Sequence, residues 1–368
     1  MPRAVRGMTL VELLVVIAIL GLLSVAVIPV VDGGSLRPAR AAVASLTSLV
    51  ATAQAQALGR DNPVGLWIEP LDAGAAIDVA IARQPEPYRG DTFDAAVSLA
   101  GSVASGTMVL TFSDAGNSVT TLTAPSDPPF VTTGDGIEFE GSPDRFTLVC
   151  PDPPGRGGYR AAVRPEAGQT PSNTRWPAPA VAGSGTAWHA FAIIRRPRPV
   201  AEGMSFGSGL AIDLAWSGVG TRRFGRTPLA GDGASSADAS DDLEPLPAYG
   251  AGQAIAIMFD RVGGVGELGF FNTPRSIAAG RAAAPPETRV PLRAPVFLLV
   301  GRIDRCGMGY REAPTEDAPG ANWQYPDSFW VSIDPRTGLA RSSPVVLRDR
   351  GGPVTSARRS QAAIRAAS

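Results

Sequence analysis

Apolar residues fill the chain from Leu13 to Val31, interrupted only by Gly21, Ser24 and Pro29. That run of about 19 positions crosses ~30 Å of hydrocarbon as a helix at ~1.5 Å per residue. The pattern then changes. After Asp32-Gly33-Gly34-Ser35, the apolar residues Leu36, Val43, Leu46, Val50, Ala53 and Leu58 fall on one face of a helix that Ser35 can cap and Gly59 can end. From Pro63 onward the period shortens to that of strands. Candidate strands are 63–70, 77–82, 107–112, 119–123, 136–140, 145–150 and 159–163, followed by 187–195, 210–216, 254–260, 265–271, 295–303 and 329–333. Two stretches, Met258–Val265 and Ser332–Leu339, share the form apolar-Asp-x-x-x-Gly-apolar, with Phe112–Val119 as a looser version. Asp opens such a turn and Gly closes it, so each reads as a β-hairpin.

One residue does not fit the first apolar run. Glu12 stands at its start, where an ionised side chain in hydrocarbon costs roughly 2.5–3.5 kcal/mol even on lenient scales. No partner exists within the run. Arg3 and Arg6 precede Gly7, which is followed by Met8-Thr9-Leu10-Val11-Glu12. This arrangement resembles the leader of type IV pilins and of the pseudopilins of type II secretion. The resemblance implies that a prepilin peptidase cuts between Gly7 and Met8 and that Met8 is then N-methylated. It also implies that Glu12 pairs with the freed amine of Met8 in a neighbouring subunit, which supplies the missing counter-charge. Pro29 falls where many members kink their helix. The implied fold is α+β and pilin-like: a long hydrophobic helix broken between Pro29 and Ser35, then an amphipathic helix laid on an antiparallel β-rich outer domain.

Under this reading residues 1–7 are the leader, 8–31 the membrane and fibre-core helix, and 35–59 the amphipathic helix. Two β-rich parts, 60–164 and 187–346, follow on either side of a Pro- and Gly-rich linker at 165–186, and 347–368 forms a mobile tail. The arginines before the apolar run hold the N-terminus in the cytoplasm and send the rest outward, so the chain is a single-pass inner-membrane protein that later joins a fibre. The implied partners are the prepilin peptidase, other pilin-like subunits and the membrane. The order of residues 39–68 looks most like the H-type minor pseudopilins, and Glu12 argues against the K-type tip subunit, which lacks that glutamate. The chain departs from the pattern at Met8, where phenylalanine is commonest, in the break at 32–35, and in its length for a minor subunit. Two other readings stay open: a signal peptide cut near Ser24-Val25-Ala26, and a single-pass anchor carrying an extracytoplasmic binding domain. Neither needs Glu12.

Composition narrows the outer domain. A net charge of −1 in 368 residues excludes a basic nucleic-acid-binding field, and every cation is an arginine because no lysine is present. Glycine (42) and proline (34) predict long loops, while 44% apolar residues are enough for a core. The two cysteines, Cys150 and Cys306, are a candidate disulfide outside the cytoplasm, and neither has the neighbours of a metal site. Asp238, Asp241 and Asp242 lie in an acidic loop of the kind that holds calcium, without EF-hand spacing. Gly203–Gly207 matches G-x-S-x-G, but a strand follows it and the single His189 precedes it, against a hydrolase. Gly264–Gly269 matches G-x-G-x-x-G with no helix after it and reads as a hairpin. No cofactor and no enzymatic activity are expected.

Overall fold

The computed structural model describes residues 36–71, 74–102, 106–113, 119–123, 130–149, 160–165, 187–225, 252–273, 287–309 and 319–346, with 169–170, 172–177, 243–246 and the single positions 249, 315, 317 and 359. The first element is helix α1 (Leu36–Ala57). Strands β1 (Val64–Glu69) and β2 (Asp78–Arg83) begin a body. Then come β3 (Val97–Ser102), β4 (Thr107–Phe112), β5 (Gly136–Phe139), β6 (Arg145–Val149), β7 (Arg160–Pro165), β8 (Trp188–His189) and β9 (Phe191–Ile194). The body resumes with β10 (Arg198–Ser205), β11 (Leu210–Asp213), β12 (Ala254–Phe259), β13 (Val265–Phe271), β14 (Thr288–Pro291), β15 (Val296–Arg302), β16 (Phe329–Ile333) and β17 (Ala340–Pro344). The fold is mostly antiparallel β-sheet with few helices.

Two sheets make the body. One runs β10-β2-β1-β12-β13-β14; the other is built around β15, which pairs with β11 and β16, with β17 beyond β16. Strand β1 reads Val64, Leu66 and Ile68 toward the core, as period-2 alternation requires. Helix α1 rests its face of Ala39, Val43, Leu46, Val50, Ala53 and Ala57 on strands of both sheets, and these residues share one apolar cluster with Ile255, Ile257, Leu298 and Val331. A helix that closes the gap between two sheets is the central element of the core rather than a cover on it.

Between β2 and β10 the chain makes a separate closed unit. Its strands are ordered β9-β5-β6-β7-β4-β3-β8. The two ends of this order, β8 and β9, are one strand interrupted only by Ala190: Trp188 and His189 pair with Ser98 and Val97, and Phe191–Ile194 pair with Phe139–Gly136. Ile193 pairs with Ile137 on one side and with Tyr88 on the other, so the sheet wraps onto itself as an antiparallel barrel. Closure pairs the edge strands β3 and β5 with this shared strand. Alternate residues fill the interior, among them Val97, Leu99, Met108, Leu110, Phe112, Phe146, Leu148, Val163, Phe191 and Ile193. Phe112 and Phe191 meet edge to face at 5.0 Å between centroids.

The structure corrects several sequence expectations. The two β-rich parts do not separate at 165–186: β1 from the first part pairs with β12 of the second, while β9 from the second closes the barrel of the first. Pairing across nearly two hundred residues leaves no mark in local composition, so the Pro- and Gly-rich stretch stood out instead. Residues 119–123 carry a short helix, Thr120–Thr123, not a strand; Asp91 accepts from the Thr121 N–H at 2.7 Å and from the Thr120 hydroxyl at 2.7 Å, which caps the turn. Leu58 is 52% exposed, because α1 ends at Ala57 and Gly59, with φ +73°, turns the chain away. Arg198–Ser205 and Ala340–Pro344 are strands that their mixed polar patterns hid. Within 347–368 only Arg359 is described, and its side chain is buried at 1% exposure.

Candidate assembly site

Gly7, Met8, Glu12 and Pro29 lie outside the described residues, as do Cys150, Asp238, Asp241 and Asp242. Among the described residues no helix is long and apolar enough to cross a membrane, and no three His, Cys, Asp or Glu side chains come together to hold a metal ion. What the structure presents is the continuation of the N-terminal segment: helix α1, its seat, and the contacts that hold its far end.

That far end is held by the two Asp-Gly hairpins noted in the sequence. Asp260 opens the first, its carboxylate accepting from the N–H groups of Val262 at 3.0 Å and Gly264 at 2.9 Å. Asp334 opens the second, accepting from Arg336 at 2.9 Å and Thr337 at 2.8 Å. Those backbone donors hold the Asp334 carboxyl below its ordinary range despite partial burial, which acts in the opposite sense. The turns meet each other at the end of α1. The Gln54 amide donates to Gly263 O at 2.9 Å and also to Thr337 O, and the Gly59 N–H donates to Arg261 O at 3.2 Å. Gly338 has φ +67°, and a Cβ there would run into Gly263 O, so glycine serves both conformation and approach. Gln54 therefore belongs to a clasp, not to a free helix face.

The buried carboxylates are structural in their surroundings. Asp213 is 0% exposed; its Oδ1 accepts from Gly307 N at 3.1 Å and Ala215 N at 3.2 Å, and its Oδ2 from Asn322 Nδ2 at 3.0 Å. Burial pushes its pKa up to about 7, against the opposing pull of these donors. The same Asn322 Nδ2 is 3.6 Å from the Cys306 thiol sulfur. These hydrogen bonds order the turn after β15. The signal in the sequence was a lone acid inside the apolar run 210–216. Ser205 of the G-x-S-x-G match ends β10, and Gly264–Gly269 forms a hairpin strand, as the pattern predicted.

A second buried set joins barrel to body. Asp135, fully buried, accepts from the N–H groups of Thr132 and Arg196, each at 2.8 Å. Arg196 reaches on to Glu287 at 2.7 Å, and Glu287 also accepts from Asn272 N at 2.8 Å. Burial raises the pKa values of Asp135 and Glu287, and the Arg196 charge opposes the shift at both. His189 is half-buried in β8. Neither curated proteins nor solved structures give a match to the chain. At the other end, residues 2–28 match a family described as the prokaryotic N-terminal methylation motif. The chain thus carries the prepilin-type motif of type IV pilins and pseudopilins, and α1 is the described helix that follows it.

Proposed function

We propose that this protein is a minor structural subunit of a type II secretion pseudopilus or a related type IV pilus-like fibre, closest in kind to the H-type pseudopilins. The methylation motif at 2–28 carries this reading, since it marks a pilin- or pseudopilin-like subunit processed by prepilin peptidase. Hydrolysis of the Gly7–Met8 bond removes the basic leader and creates a cationic amine at Met8. Residues 8–31 hold the subunit in the inner membrane, kinked at Pro29, with the bulk of the chain outside the cytoplasm. On assembly, Glu12 takes up the Met8 amine of a neighbour, so a charge that is costly in lipid becomes paired in the fibre. The β-rich part has no enzymatic role and binds no cofactor or calcium. A bridge between Cys150 and Cys306 ties the end of a barrel strand to the body.

Mass spectrometric mapping of the envelope protein, alkylated before reduction, tests these points together. The expected first residue is N-methylated Met8, with both cysteines unlabelled until reductant is added. An intact Met1 or a start near Val27 overturns the pilin reading; two labelled cysteines overturn only the bridge. The alternative, a single-pass anchor for an extracytoplasmic binding domain, is separated by Glu12→Ala. A fibre subunit lacking Glu12 inserts but is lost from sheared fibres, whereas an anchored binding domain is indifferent to the change.

A further inference from the structure

Arg359 stands far from its neighbours in sequence. Its guanidinium lies against Trp216, Trp330 and Phe297, all buried, with its central carbon 5.4 Å from each of the Phe297 and Trp330 ring centroids. Its Nη1 donates to Gly220 O at 2.8 Å and Arg222 O at 3.0 Å, and its Nη2 donates to Trp216 O. These acceptors also have contacts of their own. Gly218 and Val219 pair with Arg223 and Arg222 in a short hairpin, and Gly220 N donates to Pro295 O at 2.9 Å. Trp216 is locked by its own indole, which donates to Met308 O at 2.9 Å, and by an edge-to-face contact with Trp323.

We propose that this is a guanidinium receptor whose ligand is the C-terminal segment of the same chain, bound in cis through Arg359. Three preset carbonyls answer a planar fork of N–H donors, and the aromatic faces stabilise its charge. An ammonium, a compact point charge, cannot serve carbonyls spread along both Nη directions. The pocket therefore selects arginine over lysine, and it holds the chain to the body at Arg359. Once its own arginine is removed, the pocket accepts the same segment in trans.

The test uses the full chain in detergent. Arg359→Ala should lower the melting temperature, and a peptide of residues 354–366 should restore it while changing the fluorescence of the pocket tryptophans. The same peptide with Arg359→Lys should bind roughly tenfold more weakly or worse, the loss expected for a charge-assisted hydrogen bond. Unaltered protein, its pocket filled, should bind neither peptide. Equal binding of the two peptides, or equal binding by the variant and unaltered proteins, overturns the proposal. Trypsin supplies a second measurement if the variant does not fold. Cleavage after Arg359 in the unaltered protein should lag far behind cleavage of the free peptide, and equal rates would refute the pin.

Discussion

In the barrel, every strand comes from one unbroken stretch, 97–194, and the last strand closes the sheet by pairing at both of its edges. The body is assembled differently. Its central strand β1 pairs with β2 nearby and with β12 almost two hundred residues later, and its core is completed by α1 rather than by a strand. The barrel thus carries its own closure, whereas the body depends on helix α1, which follows the methylation motif in sequence. The chain leaves the body at Arg83 and returns at Arg198, and those two residues are direct partners in the ladder. An insertion whose ends meet across one rung leaves its host sheet intact. Helix α1 and the two sheets of the body therefore share one core, with the barrel inserted between β2 and β10.

The strongest way to break this comparison is a charge in the seat of α1. Val50→Asp places an unpaired carboxylate among Leu46, Ile257 and Val331 and should cost the body about 3–5 kcal/mol or more. Ser48→Asp, on the exposed face, should cost less than about 0.5 kcal/mol. Thermal melting of a fragment beginning at Ser35 makes the comparison, and similar melting temperatures would show that the helix is not seated as described. The barrel should keep its own transition in the Val50→Asp variant.

The body also holds a buried acid that makes its stability depend on pH. Asp213 titrates at about 7 when folded and near its ordinary 3.8 when unfolded. Below 3.8 both states carry the proton. Between there and about 7 only the folded state keeps it, so stability falls as pH rises and then levels off, with a total loss bounded at roughly 4 kcal/mol. Asp213→Asn should flatten that slope in urea titrations of the body between pH 4 and 7. Parallel profiles for the two proteins would remove Asp213 as the cause.

The clasp at the end of α1 is worth less. Gly338→Ala imposes a side chain at φ +67° and against Gly263 O, which should cost about 1–3 kcal/mol. Gln54→Glu should fall in the same range, because it turns a donor to Gly263 O and Thr337 O into an acceptor. Denaturant midpoints of the Ser35 fragment read both, and a change under about 0.5 kcal/mol in each would mean the hairpins do not hold the helix. The smallest effect is expected from removing the barrel. Replacing residues 85–194 with a short Gly-Ser linker keeps Arg196 beside Glu287 and should shift the body's stability by only about 1 kcal/mol. Failure of the remainder to fold cooperatively would make the barrel part of the body after all.

Much of this was legible along the chain. Local chemistry determined the apolar run, the misfit of Glu12 within it, the methylation motif at 2–28, and the amphipathic face from Val43 to Ala53. Local turn chemistry likewise determined the Asp260 and Asp334 hairpins, because an Asp side chain and a glycine five or fewer residues apart act on their own backbone. Tertiary structure alone decided which strands became neighbours. Pairing partners such as Leu66 and Ile257 are equally apolar before and after they meet, so periodicity reveals each strand and not its partner. It alone brought Gln54 against the two hairpins, and it alone found a place for Arg359. An arginine in a polar tail looks solvated until three carbonyls and two aromatic rings, brought together from residues 216 to 330, replace the water it gives up.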